Sequence, residues 1–240
     1  LEEMPMISGK RVIAAMLTAL MAVTFTANTA VSVYATGVTA TENAQTIDAQ
    51  STDAQALTPE EQKAQELQQV YDMPVESNGY KDWPQGPGTY GEAGIVMEVG
   101  TGAILYAKNI DAHEYPASIT KVLTELVALE NGQLTDNVTF SHDSVAFLQR
   151  GDSSVGLKEG NVITLDQAMH AMLLASANEA AYAIGESVGV NAGHDYNWFI
   201  EQMNSRCKEL GGENSNFANT NGLHDPNHYT CARDMALIGR

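Results

Sequence analysis

The sequence is poor in positive charge and has no glycine-rich motif of the kind that holds phosphate groups. It contains 12 Lys and Arg residues against 30 Asp and Glu residues, which gives a formal net charge of -18 at pH 7. A chain this acidic repels a nucleic-acid backbone, and no basic patch in the sequence offsets that repulsion. The sequence also contains no internal repeat. The composition therefore argues against nucleic-acid binding and against nucleotide phosphates as ligands.

The sequence also lacks a cluster of metal ligands. His224 and His228 have the i, i+4 spacing of a zinc-binding pair, but Pro226 lies between them and argues against a helix. No third ligand is clustered nearby. We therefore predict no metal site, and the chemistry inferred below requires no cofactor.

One stretch, PASITK at 116–121, predicts nucleophilic catalysis. Pro116 favours extended geometry before it, and the apolar spacing over 118–130 predicts a helix. Ser118 then lies at or near a helix N-terminus, and Lys121 is about one turn further on the same face. A lysine held partly neutral can take the serine proton, and the helix N-terminus offers donors to an oxyanion.

The spacing Ser-x-x-Lys is a weak signal alone. Ser205 and Lys208 form a second example in the middle of an apparent amphipathic helix. Ser118 differs in its preceding Pro-Ala, in the helix start, and in a possible second motif downstream. Ser118 is therefore the predicted nucleophile.

The second motif is the triplet Ser-Ala-Asn, which contains Ser176 and Asn178. A capping box at Thr164 opens a helix before it, and a helix over 179–188, closed by Gly189, follows it. At this junction the serine hydroxyl could relay a proton and the asparagine could hold a substrate amide. The alternative is that the triplet is only the N-cap of the second helix.

Several motifs occur in order: PASITK at 116–121, SAN at 176–178, GLHD at 222–225 and ARDMA at 232–236. Together they resemble the D-alanyl-D-alanine carboxypeptidases, the low-molecular-weight penicillin-binding serine peptidases, over about residues 88–240. The wider pattern includes Ser-Asp-Asn and Lys-Thr-Gly. Ala177 stands in place of that Asp, and no Lys-Thr-Gly occurs. We therefore expect a truncated sequence, ending at Arg240 before that motif.

The resemblance implies a mixed α/β (α+β) fold that is β-lactamase/transpeptidase-like. It would have an antiparallel sheet flanked by helices, a helical subregion, and a C-terminus where the domain is incomplete. The apolar runs 94–99 and 103–107, joined by Gly-Thr-Gly, predict a hairpin of that sheet behind the Ser-x-x-Lys helix. Further helices are predicted over about 195–210 and from Cys231 onward, and turn-rich cover around the pocket over 133–163.

The resemblance also implies a serine-type D-Ala-D-Ala carboxypeptidase acting on peptidoglycan stem peptides. Ser118 would attack the carbonyl between the two terminal D-alanines, and Lys121 would take its proton. Ser176 would help pass a proton to the leaving amine, and Asn178 would hold the peptide amide. β-Lactams would be covalent inhibitors because their acyl-enzyme turns over slowly.

Two alternatives to this function stay open. The first is a β-lactamase of the same superfamily, which needs a deacylating glutamate in a Glu-x-x-Leu-Asn loop. Residues 213–217 lie at about the right distance but fail that pattern. The second is a catalytically inactive penicillin-fold module that binds wall peptide.

Residues 1–35 have the pattern of a signal peptide. Lys10 and Arg11 precede an apolar run over 12–25, and small residues up to Ala35 offer a cleavage site. We therefore expect export to the cell wall or the outer face of the cytoplasmic membrane. Residues beyond the end of the sequence would allow membrane association.

Residues 36–82 are predicted to be an acidic, low-complexity linker, and residues 83–240 a partial catalytic domain. The linker is rich in Ala, Gln, Thr and acids, although Thr58-Pro59-Glu60-Glu61 could open one helix within it. In an exported protein the only two cysteines, Cys207 and Cys231, are allowed to pair. Two buried free thiols fit the sequence equally well.

Overall fold

The computed structural model describes residues 57–240. The predicted signal peptide and residues 36–56 of the predicted linker lie outside the described residues. From Thr58 to Arg240 the chain forms one compact unit.

Helices and short antiparallel strands make up this unit. Its helices are α1 (Pro59–Tyr71), α2 (Thr120–Asn131), α3 (His142–Ala146), α4 (Leu165–Leu174), α5 (Asn178–Asn191), α6 (Tyr196–Glu209) and α7 (Ala232–Gly239). Its strands are β1 (Gly94–Met97), β2 (Ile104–Lys108), β3 (Asn137–Thr139) and β4 (Val162–Thr164), and single 3-10 turns span Glu76–Gly79 and Ala117–Ile119. Within residues 57–240, no helix combines the length and the apolar composition that crossing a membrane requires.

The strands form two separate two-stranded antiparallel sheets. Strand β1 pairs with β2, so that Gly94 lies opposite Lys108, which confirms the predicted hairpin. Strand β3 pairs with β4 within the stretch expected to be turn-rich cover, with Val138 opposite Ile163. The mixed α/β character predicted from the sequence is confirmed.

Helix α5 lies at the centre of the packing because small residues line it. Its buried residues include Ala180, Ala181, Ala183, Gly185 and Gly189. The neighbouring helices α2, α4 and α6 supply the larger buried side chains, among them Leu123, Leu165, Met172, Phe199 and Met203. Each such side chain stabilises the fold by roughly 1.5–3 kcal/mol. This packing fixes the N-terminal ends of α2 and α5 relative to each other.

Most helix ends follow the local signals in the sequence. Thr164 and Gln167 form the predicted capping box of α4, and Asp195 caps α6. The prediction that Gly189 closes α5 is wrong, because the helix continues to Asn191. Gly189 is instead a close-approach residue, since a side chain there would collide with the Asp195 backbone.

The compact unit includes residues 58–82, whereas the sequence predicted a folded domain from near Trp83. Thr58 forms a capping box with Glu61 at the start of α1. The buried Lys108 amine then donates to the carbonyls of Val70 and Thr89, both at 2.6 Å. Residues 58–82 therefore belong to the folded unit, because a buried cation ties them to strand β2.

Candidate active site

Ser118 lies in the 3-10 turn that leads into α2. Pro116 is buried before this turn, and Ala117 has a positive φ of 47°. A positive φ is uncommon for a residue other than glycine and costs on the order of 1 kcal/mol, so the surroundings must hold it. The turn leaves Ser118 exposed at the start of the helix, as the sequence predicts.

Lys121 is buried directly below this serine. Its Nζ lies 3.2 Å from Ser118 Oγ, 2.8 Å from Asn178 Oδ1 and 2.7 Å from the carbonyl oxygen of Asn221. The sequence predicted the lysine beside the serine and Asn178 facing the same pocket. It gave no indication of the Asn221 carbonyl.

The partners of Lys121 fix the direction of its amine relative to Ser118. Asn178 Oδ1 and the Asn221 carbonyl are acceptors only, so each holds one N–H of the lysine. A neutral amine has two N–H bonds and one lone pair. When the amine is protonated its third N–H donates to Ser118 Oγ, and when it is neutral the lone pair takes that direction and can accept the hydroxyl proton.

The pKa of Lys121 agrees with this arrangement. Burial, which penalises the charged form, lowers it from 10.5 to about 8, and the negative charge of Glu179 opposes that shift. At pH 7 roughly a tenth of such amines are neutral, against roughly one in several thousand for an ordinary lysine. Lys121 is therefore suited to act as a base at neutral pH.

Ser176 completes the hydroxyl pair. Its Oγ donates to Ser118 Oγ at 2.9 Å, and its backbone has a positive φ of 54°. The N-cap residue of α5 is Ala177, which makes no side-chain cap. Neither Ser176 nor Asn178 is therefore a simple helix cap, because their side chains point to Ser118 and Lys121 instead.

The loop over 219–223 forms one wall of the site. Asn219 Oδ1 accepts from the Gly222 N–H at 2.7 Å, and Asn221 Oδ1 accepts from the Leu223 N–H at 2.9 Å. These local bonds fix the loop with the Asn221 carbonyl aimed at Lys121. This wall was not predicted from the sequence, although an Asn-x-Asn-Gly stretch is a known signal for a turn braced by side chains.

His228 supports the same loop from beneath. Its Nδ1 accepts from the Ala218 N–H at 3.0 Å, so its Nε2 carries the proton and faces Thr120 Oγ1 at 2.8 Å. Burial lowers the pKa of His228 to about 4, which keeps the ring neutral. Both ring nitrogens are used within the fold, and His224 packs edge-on against Tyr115 rather than pairing with His228.

The loop over 153–156 lies against the start of α5. The Asn178 N–H donates to the Ser153 carbonyl at 2.9 Å. Glu179 Oε1 accepts from Ser154 Oγ at 2.7 Å and from the N–H groups of Val155 and Gly156 at 2.8 and 3.2 Å. Part of the 133–163 stretch, which was predicted to cover the pocket, therefore lies beside Asn178.

The second Ser-x-x-Lys does not contribute to this site. Ser205 lies within α6, in a depression that is also lined by Val127, Glu130 and Arg206. Arg206 forms an ion pair with Glu130 there. The structure thus brings together Ser118, Lys121, Ser176 and Asn178 and leaves Ser205 elsewhere.

The segment weighed as a β-lactamase glutamate loop is tied to α7. The Asn214 N–H and the Ser215 hydroxyl both donate to Asp234 Oδ2, at 2.8 and 2.7 Å. Glu213 on this segment is exposed. The contacts of 213–217 give no support to a deacylating role for Glu213.

The chain is similar to a defined group of proteins. Residues 84–240 match the profile of a family described as D-alanyl-D-alanine carboxypeptidase. The D-alanyl-D-alanine carboxypeptidase DacA of Haemophilus influenzae is 35% identical over 150 residues, which cover 60% of this chain and 37% of that protein. The chain thus spans well under half the length of this relative.

Solved structures show the same similarity. Penicillin binding protein 5 from Haemophilus influenzae aligns with a TM-score of 0.57 and 30% identity, over 65% of this chain and 46% of that one. The Streptomyces K15 DD-transpeptidase aligns with a TM-score of 0.55 and 29% identity, over 60% of this chain and 57% of that one. These neighbours confirm the predicted transpeptidase-like fold.

Proposed function

The chain belongs to the D-alanyl-D-alanine carboxypeptidase family, and on that premise we propose that its protein removes the terminal D-alanine from peptidoglycan stem peptides through an acyl-enzyme on Ser118. The set of partners around the Lys121 amine carries this proposal. They orient the lysine so that its lone pair, in the neutral form, faces the serine hydroxyl, which is what an alcohol nucleophile requires.

In the acylation step, Ser118 Oγ bonds to the carbonyl carbon between the two terminal D-alanines while its proton passes to Lys121. The carbonyl oxygen becomes negative, and the Ser118 backbone N–H at the helix start is one donor to it. The C–N bond then breaks. The departing D-alanine amine takes the proton back through Ser176, which is hydrogen-bonded to Ser118.

Asn178 positions the peptide in this scheme. Its Oδ1 faces Lys121, so its Nδ2 is the end that can donate to a substrate carbonyl. Water then hydrolyses the ester and releases the shortened peptide and free Ser118. A β-lactam would form an analogous ester on Ser118 that is hydrolysed slowly. It would therefore label the protein covalently.

The test uses the full-length protein encoded by the reading frame that contains these residues. It is incubated with a fluorescent penicillin, and covalent label is followed over time. We expect labelling that Ser118→Ala abolishes and that the control Ser205→Ala leaves intact. Labelling that survives Ser118→Ala would refute the assignment of the nucleophile.

The rate at which label is lost separates the alternatives. Slow loss, together with release of free D-alanine from a stem pentapeptide, supports the carboxypeptidase. Fast loss without release of D-alanine indicates a β-lactamase, and no labelling indicates a binding module. The similarity to a DD-transpeptidase adds a third measurement, in which transfer to an added amino acid in preference to water would identify a transpeptidase.

We further propose that the protein is exported and acts outside the cytoplasm. The basic start at Lys10 and Arg11 and the apolar run after it support this, as does a substrate located in the wall. N-terminal sequencing of the protein recovered from cells tests it. A mature N-terminus near residue 36 supports export, and an intact N-terminus in the cytoplasmic fraction would contradict it.

A further inference from the structure

Glu179 is a fully buried carboxylate that the proposed chemistry does not use. Its side chain is 0% exposed, and its Oε2 is buried without a hydrogen-bond partner among residues 57–240. An unpaired buried carboxylate oxygen is costly, so such a group needs a compensating interaction. Two features of the structure provide one.

The first feature is the loop over 153–156, which wraps around the other oxygen. Ser154, Val155 and Gly156 all donate to Glu179 Oε1, and Ser154 Oγ also accepts from Gly156. The adjacent residue, Asn178, holds the Ser153 carbonyl. The first turn of α5 therefore binds this loop through two neighbouring residues, Asn178 and Glu179.

The second feature is electrostatic. Lys121 and Glu179 are both almost fully buried, and Asn178, the chain neighbour of Glu179, accepts from the Lys121 amine at 2.8 Å. The negative charge of Glu179 favours the protonated form of that amine. The groups that hydrogen-bond to this amine are neutral: Ser118, Asn178 and the Asn221 carbonyl. Glu179 and Asn178 are neighbours in the chain, so one helix turn reaches both the loop and the lysine.

We propose that Glu179 is a positioning residue with two separable effects: its carboxylate holds the 153–156 loop as a wall of the site, and its charge restrains the basic side chain that activates Ser118. The proposal rests on the function proposed above only for its readout by acylation. The loop and the lysine can be observed without any reaction.

Two variants separate the effects. Glu179→Gln keeps an oxygen that can accept from the loop but removes the charge. Glu179→Asp keeps the charge but shortens the side chain by one methylene, so it pulls the acceptor away from Val155 and Gly156. Glu186→Gln is the matched control, because Glu186 lies two turns further along α5 and also has a buried Oε2 without a partner.

The readouts are the pH profile of penicillin acylation, the titration of Lys121 observed by NMR at its ε-carbon, and amide exchange at Val155 and Gly156. Glu179→Gln should move the rising limb of the profile and the lysine titration to lower pH, because the opposing charge is gone. Glu179→Asp should leave the lysine titration in place. It should speed exchange at the two loop amides and slow acylation roughly tenfold or more.

Several results would overturn the proposal. One is a lysine titration in Glu179→Gln that matches the parent, and another is loop exchange in Glu179→Asp that matches Glu186→Gln. If the parent protein is not acylated, the proposed function fails instead. The NMR titration and amide exchange then still decide whether Glu179 holds the loop and acts on Lys121.

Discussion

The carbonyl oxygen of Ala117 lies 1.8 Å from the position that a β-carbon on Gly222 would occupy. Both residues have positive φ angles, 47° and 84° respectively. The contact presses the 219–223 loop against the turn that presents Ser118. It is therefore the point where the Gly222 turn and the strained backbone of Ala117 fix each other.

Gly222→Ala should lower both stability and acylation, because the new methyl group must push the two backbones apart. Gly193→Ala is the matched control: its φ of 83° is almost the same, but nothing lies within 4 Å of its added carbon. The control should lose about 1 kcal/mol and keep its acylation rate. Gly222→Ala should lose more and acylate roughly 100-fold more slowly, since small displacements of reacting groups cost that much. Chemical denaturation and penicillin labelling measure the two effects, and equal behaviour of the variants would contradict the prediction.

Acylation should depend on pH through Lys121. The amine must be neutral to accept the Ser118 proton, and its pKa is lowered to about 8. The acylation rate should therefore rise from pH 6 through a midpoint near pH 8 and level off above roughly pH 9. Stopped-flow labelling across this range checks the midpoint, and a profile that falls with pH would exclude Lys121 as the base.

Lys121→Arg should lower acylation by several orders of magnitude while the fold persists, because a guanidinium keeps the charge but does not give up its proton at these pH values. Lys158→Arg, at an exposed position, is the control and should change nothing. Circular dichroism verifies the fold of both variants. An Lys121→Arg rate within a few-fold of the parent would reduce Lys121 to electrostatic support.

His228 should make the protein sensitive to mild acid. Its pKa is lowered from 6.5 to about 4, so the unfolded chain binds more protons than the native protein between these values, and stability falls as pH drops through that window. The full effect is about 3 kcal/mol. His228→Gln, which can replace both hydrogen bonds, should lose less stability between pH 7 and pH 4.5 than the parent. His142→Gln, at an exposed site, should behave as the parent does. Urea denaturation at the two pH values provides the comparison.

Cys207 and Cys231 are free, buried thiols, which decides between the two states that the sequence allowed. Burial raises the pKa of both, that of Cys231 to about 11, so few thiolates exist at pH 8. A thiol reagent should react slowly with the native protein and quickly with both cysteines in denaturant without reductant. Failure to titrate two thiols after unfolding would indicate a disulfide.

Local sequence signals predicted much of the fold and the pairing of Ser118 with Lys121. The capping box at Thr164, the helix start near Asp195 and the Gly-Thr-Gly turn depend on a few neighbouring residues, so sequence patterns record them directly. The same holds for Ser118 and Lys121, which one helix turn brings together. Predicting a function for this pair required the second motif, Ser-Ala-Asn. The position of that motif at a helix junction was also predictable.

What the sequence did not reveal depends on distant contacts or on backbone atoms. The Asn221 group that binds Lys121 is a carbonyl, which every residue has, so no side-chain pattern marks it. Gly189 looked like a helix end and proved to be a place of close approach, because spacing alone does not distinguish the two uses of glycine. No sequence pattern marks Lys108 as buried, although its amine ties down the segment that was expected to be a linker.

The partners of Lys121 also set the order of events when the chain folds. Ser118 is only three residues away, but Asn178 is 57 residues away and Asn221 is 100. Helix formation brings the first pair together within microseconds, whereas contacts this distant in sequence form late. The depressed basicity of Lys121 depends on burial by those late contacts. A newly made chain therefore carries an inert serine until its tertiary structure closes, and reactivity itself becomes a signal that folding is finished.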